Sequence, residues 1–294
     1  MHHRYLTTKE VADLLRLKER KVYDLAASGG IPCTRATGKL LFPRDGLEAW
    51  LSKNTDAGIL GATRQRPNVF LGSHDPLLDW ALLESRCGIA TFFDGSSDGL
   101  ERFCNHEGIA AGLHLFDPAS GEWNVPFVRA RLAHSSCILV EWAWRRRGLI
   151  IPSEMASRIN GLIDLKGCRV VPRQPEAGSQ VLFEHVLGEN GPARSDIEFT
   201  AVARSETDAA VAVLEGKADV AFGLEALAVK YKLGFVPVVK ERYDLLVDRR
   251  AWFEPPMQAF QTFCRSKEFA ERTADYAGYD VSGFGRVHFN GLSP

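Results

Sequence analysis

The sequence predicts a mixed α/β protein in two parts: a small helical head with a β-wing, followed by a larger α/β body. Three observations carry this expectation. Residues 5–51 hold two short amphipathic helical stretches, a turn-rich segment and a third apolar helical run. From Val69 onward apolar strands alternate with amphipathic helices, the pattern of a parallel sheet covered by helices. Between them Lys53–Asn68, KNTDAGILGATRQRPN, is polar and contains two glycines and a proline, and reads as a connector with room for one helical turn. The expected boundaries are therefore 1–54 for the head, 55–68 for the linker and 69–294 for the body. A chain of 294 residues suits such a division.

In the head, Thr7 stands three residues before Glu10, the spacing at which hydroxyl and carboxylate each satisfy an orphan N–H at a helix start. Val11, Leu14 and Leu15 share one face, which predicts a helix from Thr8 to Leu15. A break near Leu17 and Lys18 leads to a second helix, Glu19 to Ser28, closed by Gly29 and Gly30. Val22, Leu25 and Ala26 turn toward the first helix and leave Arg20, Lys21 and Asp24 outward. Two strands, Ile31–Arg35 and Leu40–Phe42, turned by Thr37-Gly38-Lys39, form the wing. Pro43 then opens a closing helix through Leu47, Trp50 and Leu51. Tyr23 and Trp50 are expected as core aromatics of the head. Basic residues outnumber acidic ones here although the whole chain has a formal charge of −1, so positive charge is concentrated in the head.

In the body the expected strands are Val69–Leu71, Gly88–Phe93, Ile109–Leu115, Cys168–Val171, Phe199–Ala203, Val220–Phe222 and Phe235–Val239. The expected helices are Pro76–Ser85, Ser97–His106, Gln180–Leu187 and Asp208–Gly216. Small polar residues mark four strand-to-helix junctions: Gly72-Ser73-His74, Gly95-Ser96-Ser97, Gly178-Ser179-Gln180 and Ser205-Glu206-Thr207. Glycine permits close backbone approach, a hydroxyl donates, and a helix start presents free N–H groups with a positive dipole. Each junction alone is a plain helix cap; several converging on one cleft would hold an anion without a lysine or arginine. Trp80, Trp142 and Trp144 are read as packing residues.

The composition excludes several classes. At 45% hydrophobic and 25% charged residues the chain has a soluble globular composition, and no run of about 18 apolar residues predicts a membrane span. The start MHHRYLTTKE has no apolar secretory region, so cytoplasm is the expected compartment, and no membrane partner is expected. The cysteines Cys33, Cys87, Cys104, Cys137, Cys168 and Cys264 are scattered without a CxxC pair, which argues against a disulfide framework. The histidines show no HxxxH or HExxH spacing, so no metal site and no required cofactor are expected; His74 and His114 are the two near the junctions.

On LTTKEVADLL, RKVYDLAASGGIP and LLFPRDGLEAWL, residues 5–51 resemble the excisionase-like, MerR-type winged helix-turn-helix family. The resemblance implies that the Glu19–Ser28 helix enters the major groove of double-stranded DNA. Arg20 and Lys21 would then meet base edges or phosphates, and Arg35 and Lys39 would hold phosphates from the wing. On FLGSHDPLLDWAL, FFDGSSDGLERF, RRRGLIIP, LKGCRVVPRQPEAGSQVLFEHVL and VAVLEGKADVAFGLEALA, among other pieces, the body from Val69 to Phe289 resembles the type II periplasmic-binding-protein fold. The likeness is to its cytoplasmic branch related to molybdate and tungstate binders. It implies two lobes, the second from about Gly148 to Val236. The ligand would be clamped by Ser73, Ser96 and Ser97 on one side, and by Gly178, Ser179, Gln180, Ser205 and Thr207 on the other. Three departures bear on the ligand. Glu176 stands where the family commonly has glycine, Glu206 where it often has histidine, and Gln180 where arginine is frequent. A carboxylate beside a dianion is repulsive unless it points away or is protonated, so an organic acid or a molybdenum-cofactor-like pterin is the alternative to molybdate or tungstate.

The joint expectation is a one-component transcription regulator, not an enzyme, in which a small effector in the cleft changes operator binding by a homodimer. A transporter's solute-binding component would share the body but need an export signal in place of the head. A recombination directionality factor would share the head but not the body. An enzyme reading would draw on Glu141, Glu225, His114 and Tyr243, but no nucleophile elbow, metal constellation or P-loop accompanies them.

Overall fold

The computed structural model describes residues 4–35, 38–54 and 66–291, which fall into two compact units, one holding the described residues up to 54 and the other those from 66 onward. In the head β1 (Tyr5–Thr7) leads into α1 (Thr8–Leu15), α2 (Glu19–Ala27), β2 (Leu41–Pro43) and α3 (Arg44–Asn54). Thr7 caps α1: its hydroxyl accepts from the Glu10 N–H at 3.3 Å while the Glu10 carboxylate accepts from the Thr7 N–H at 2.7 Å. Arg16 ends α1 in the left-handed region, and Gly29 follows α2 at φ 70°. Leu6, Val11, Ala12, Val22, Ala26, Ile31, Phe42 and Leu47 form the head's core.

Two head features differ from the sequence expectation. Leu41–Pro43 pairs with Tyr5–Thr7, antiparallel, rather than with a strand at Ile31–Arg35. The wing is reduced to one bridge, Thr34 to Leu41, closed by hydrogen bonds of 2.7 and 2.9 Å; Thr37 of its turn lies outside the described residues. Leu14 and Tyr23 are exposed, at 53% and 52%, instead of buried. The buried stripe of α1 runs through Thr8, Val11, Ala12 and Leu15, and Leu14 lies off its edge. Residues 55–65 of the expected linker lie outside the described residues, as does the His2-His3 pair.

The body begins with β3 (Val69–Gly72), α4 (Pro76–Glu84), β4 (Ala90–Phe93), α5 (Ser96–Cys104) and β5 (Ala110–Leu113). A small hairpin, β6 (Phe116–Asp117) and β7 (Glu122–Trp123), precedes α6 (Val125–Leu132) and the long β8 (Cys137–Ile151). Then come β9 (Arg169–Val171), α7 (Gly178–Asn190), β10 (Glu198–Phe199), α8 (Glu206–Leu214), β11 (Val220–Leu224), α9 (Glu225–Lys230) and β12 (Gly234–Asp248). The chain closes with α10 (Pro255–Phe263), α11 (Lys267–Ala274), β13 (Tyr279–Asp280) and β14 (Val287–Asn290).

The sheet order β10-β9-β11-β8-β12-β5-β3-β4 explains the two lobes. Parallel β5-β3-β4 form the first and parallel β10-β9-β11 the second, each following apolar strand–helix repeats. β8 and β12 run antiparallel between them, from Cys137 opposite Asp248 to Ile151 opposite Gly234. Their register shifts at Pro237/Val239 and again at Tyr243/Asp244, on either side of the stretch where the pair passes from one lobe to the other. Phe70, Leu77, Trp142, Leu245, Met257 and Phe260 belong to one core of the first lobe. Leu149, Leu165, Val170, Leu182 and Phe183 belong to one of the second.

Candidate functional site

In the head Arg20 and Lys21 occupy the first turn of α2, and both are exposed, opposite the buried Val22 and Ala26. Arg35 and Lys39 are exposed beside the Thr34–Leu41 bridge. All four are thus solvent-facing cations, free of any role in the head's core.

In the body the first-lobe junctions converge on His114, which follows β5. Gly72, at φ 100°, lets the chain after β3 lie against β5; a Cβ there would stand 2.3 Å from the Gly112 oxygen. Ser73 Oγ lies 2.9 Å from His114 Nε2, and the Ser73 carbonyl accepts a short hydrogen bond from the Tyr243 hydroxyl. The buried Ser96 hydroxyl accepts from the His114 N–H at 3.1 Å, while Ser97 beside it is exposed. From the second lobe Gly178 closes on the same residue: a Cβ on it would stand 3.0 Å from the His114 carbonyl oxygen. The lobes therefore meet at His114.

The two helices aimed at this junction start without side-chain caps, α5 on Gly95 and α7 on Ala177. Among the described residues the N–H groups of Ser96, Ser97, Gly178 and Ser179 have no hydrogen-bond acceptor, and neither has the Ser179 hydroxyl, although that residue is only 2% exposed. Unused donors at two helix starts give a site with positive potential. Other expected site residues are engaged differently. The Ser205 hydroxyl accepts from the Asp208 N–H at 2.9 Å and caps α8, with Thr207 half-buried in the first turn. Gln180 accepts from the Arg173 N–H at 2.7 Å and donates to Glu184 at 2.7 Å, so its amide fixes the Arg173 backbone.

Beneath the junction the crossing strands carry a chain of buried ion pairs. Asp75, the N-cap of α4, accepts from Arg145 at 2.6 Å, from Trp142 Nε1 at 3.1 Å and from the Tyr279 hydroxyl at 2.6 Å. Glu241 lies 2.6 Å from Arg145 and 2.8 Å from Arg147. Arg147 Nη1 in turn donates to both Glu206 oxygens at 2.9 Å. Burial pushes the Glu241 carboxyl upward, but Arg145 and Arg147 outweigh it and hold the group well below the usual carboxylate range. Burial likewise opposes ionisation of Glu206, and Arg147 and Arg173 overcome it to hold its pKa below the usual value. Asp75, Glu241 and Glu206 thus face Arg145, Arg147 and Arg173, and the cluster is close to neutral.

His114 completes the arrangement. Burial lowers its pKa more than Glu241 raises it, and Arg145 and Arg147 lower it further, so the ring is neutral. Glu241 Oε2 faces Nδ1 at 3.3 Å, out of line for a hydrogen bond, and this favours the proton on Nδ1 with Nε2 accepting from Ser73. Serine, histidine and glutamate are in the order of a nucleophilic triad. A general base must become imidazolium, however, and here that charge would form fully buried beside two guanidinium groups. The geometry instead orients the Ser73 hydroxyl. Of the other acid–base candidates, Tyr243 stands at the junction with its hydroxyl donated to the Ser73 carbonyl, whereas Glu141 holds His288 at 2.8 Å and Glu225 holds Arg146 at 2.6 Å. Among the described residues no group of three His, Cys, Asp or Glu side chains could hold a metal, and no helix is long and apolar enough to cross a membrane.

Sequence reasoning missed Asp75, Arg145, Arg147, Arg173 and Glu241. A signal existed in Arg145-Arg146-Arg147 within an apolar run. Period-two alternation places Arg145 and Arg147 on one face, buried, and Arg146 on the other, half in solvent.

Residues 81–265 match the PBP superfamily domain, and residues 5–55 match the helix-turn-helix domain. The chain is 24% identical over 299 residues to the uncharacterized protein YvgK of Bacillus subtilis (strain 168), covering 96% of each. The sulfate-binding protein SubI from Mycobacterium tuberculosis H37Rv superposes with a TM-score of 0.51 at 15% identity, over 73% of this chain and 86% of that one. Full-length LTTR LysG from Corynebacterium glutamicum, with bound effector Arg, gives 0.49 at 14% identity, over 88% of this chain and 93% of that one.

Proposed function

Because this chain belongs to the PBP superfamily domain family and also carries a helix-turn-helix domain, we propose that it is a ligand-responsive DNA-binding transcription regulator whose interlobe cleft senses molybdate or tungstate. The observation that carries the ligand reading is the pair of uncapped helix starts, Ser96-Ser97 from one lobe and Gly178-Ser179 from the other, which close on His114 with their donors unused. Donors that are already oriented suit a small oxyanion, which needs several hydrogen bonds and no counter-cation. The head supplies the output, with Arg20 and Lys21 on the reading helix and Arg35 and Lys39 on the backbone. A homodimer on a two-fold operator, in the cytoplasm, is the assembly this reading implies.

One observation favours the organic-acid or pterin alternative. Glu206 already neutralises Arg147, so a dianion must bind beside a carboxylate that stays ionised.

Calorimetry of the full chain with molybdate, tungstate, sulfate and an organic acid separates these readings. Molybdate or tungstate should bind, and Ser179→Ala should weaken binding by about 1.5–3 kcal/mol, the worth of a hydrogen bond to a charged group. No heat from any of the three oxyanions would reject the oxyanion reading.

A further inference from the structure

The two strands that cross between the lobes have a second face. Trp144 and Arg242 are neighbours in the β8–β12 register, one step from Arg145 and Glu241, so alternation turns them to the opposite side. On that reverse side lies a cavity of about 400 Å³ lined by Trp123, Val125, Arg129, Trp144, Arg242 and His288, a volume within the range of small-molecule sites.

Its walls come from both lobes. Trp123 packs in the second-lobe core with Leu149 and Val170, whereas Val125 packs in the first-lobe core with Leu139 and Leu246. Arg242 ties the two strands to the hairpin, donating to the Trp123 carbonyl at 2.9 Å and to Asp244 at 3.0 Å. Its guanidinium lies 6.0 Å from the Trp144 ring centroid. His288 is held by Glu141 at 2.8 Å. Trp144 is half-buried and offers apolar surface to the cavity, Trp123 is almost fully buried, and Arg242 and His288 already have partners. Arg129 is different: it is exposed and has no hydrogen-bond or ion-pair partner among the described residues. Glu122 also lines the cavity, which disfavours a ligand carrying more than one negative charge.

We propose that this cavity is a second ligand site, for a planar organic monoanion such as an aromatic carboxylate, whose ring lies against Trp144 and whose carboxylate pairs with Arg129. Because its walls belong to both lobes, its occupancy would bias lobe closure through the same strands that floor the front cleft. The site does not depend on the oxyanion reading of that cleft.

Cinnamate is a suitable probe, with cinnamyl alcohol as the neutral control and sulfate as the charge-only control, titrated into the full chain by calorimetry and saturation-transfer NMR. Cinnamate should bind saturably and more tightly than the alcohol. Arg129→Gln, a surface change, should weaken it about tenfold or more. Trp144→Leu should weaken it as well, and Ser179→Ala in the front cleft should leave it unchanged. Absence of saturable cinnamate binding, undiminished binding in Arg129→Gln, or loss of binding in Ser179→Ala would each overturn the proposal.

Discussion

Replacing Glu206 by glutamine tests how the cleft manages charge. In the folded protein Glu206 shares Arg147 with Glu241 and lies near Arg173, and the three carboxylates and three guanidinium groups of the cluster balance. Glu206→Gln leaves one cation in excess. For a ligand charge about 6 Å away in an effective dielectric of about 20, that change is worth roughly 3 kcal/mol per unit of charge, about a hundredfold in affinity. Ligand-free stability should move the other way, by about 1–3 kcal/mol, because Arg147 exchanges a bidentate carboxylate for a single neutral amide oxygen. The pH dependence follows from the sign of the shift. The folded-state pKa of Glu206 is depressed, so its contribution is present above the ordinary glutamate range and fades as pH falls through the folded value. Thermal unfolding with and without molybdate reads both effects: the variant should melt lower when empty and gain more on saturation than the parent chain. A Glu206→Gln variant that folds yet binds molybdate more weakly would refute the reasoning, because the pairing of Glu206 with Arg147 would then matter more to the ligand than the charge of Glu206 does.

Two further predictions concern other parts of the molecule. The double substitution Arg20→Ala, Lys21→Ala should abolish tight operator binding in a gel-shift titration and leave calorimetric ligand binding intact; unchanged DNA affinity would remove α2's first turn from the interface. Burial raises the Asp244 pKa to about 6 despite Arg242 and Asn124, so this group costs stability as pH rises from about 4 to 6. Asp244→Asn should remove roughly 2–3 kcal/mol of that slope in urea titrations across the interval, and an unaltered slope would show that Asp244 is more solvated than its surroundings indicate.

The parts of the fold legible in the sequence were those set by local chemistry. Thr7 and Glu10 mark the start of α1, Gly29 the end of α2, and the strand–helix repeats from Val69 give both parallel sheets. What escaped depends on distant partners. The three-residue strand at Tyr5–Thr7 has no pattern of its own, and it displaced the expected wing strand by pairing with Leu41–Pro43. The strands β8 and β12 are buried over much of their length, and each carries charges that interrupt the apolar signal. Those charges are stable there only because Asp75, Arg145, Glu241, Arg147 and Glu206, scattered along 167 residues of chain, meet as consecutive ion pairs. No spacing rule announces such a set. The junction serines were readable as a group, yet their individual roles were not: Ser205 became a helix cap, Ser73 the partner of a histidine, and Ser179 kept its hydroxyl unused.

Energetic linkage between the cleft and the head is the core of the proposed function. It is tested most directly by titrating the full chain against an operator selected from random duplexes, with and without saturating molybdate. Linkage predicts a shift in DNA affinity of about 5–150-fold, and the same factor in molybdate affinity when operator is present. Identical affinities and identical footprints under the two conditions would contradict it.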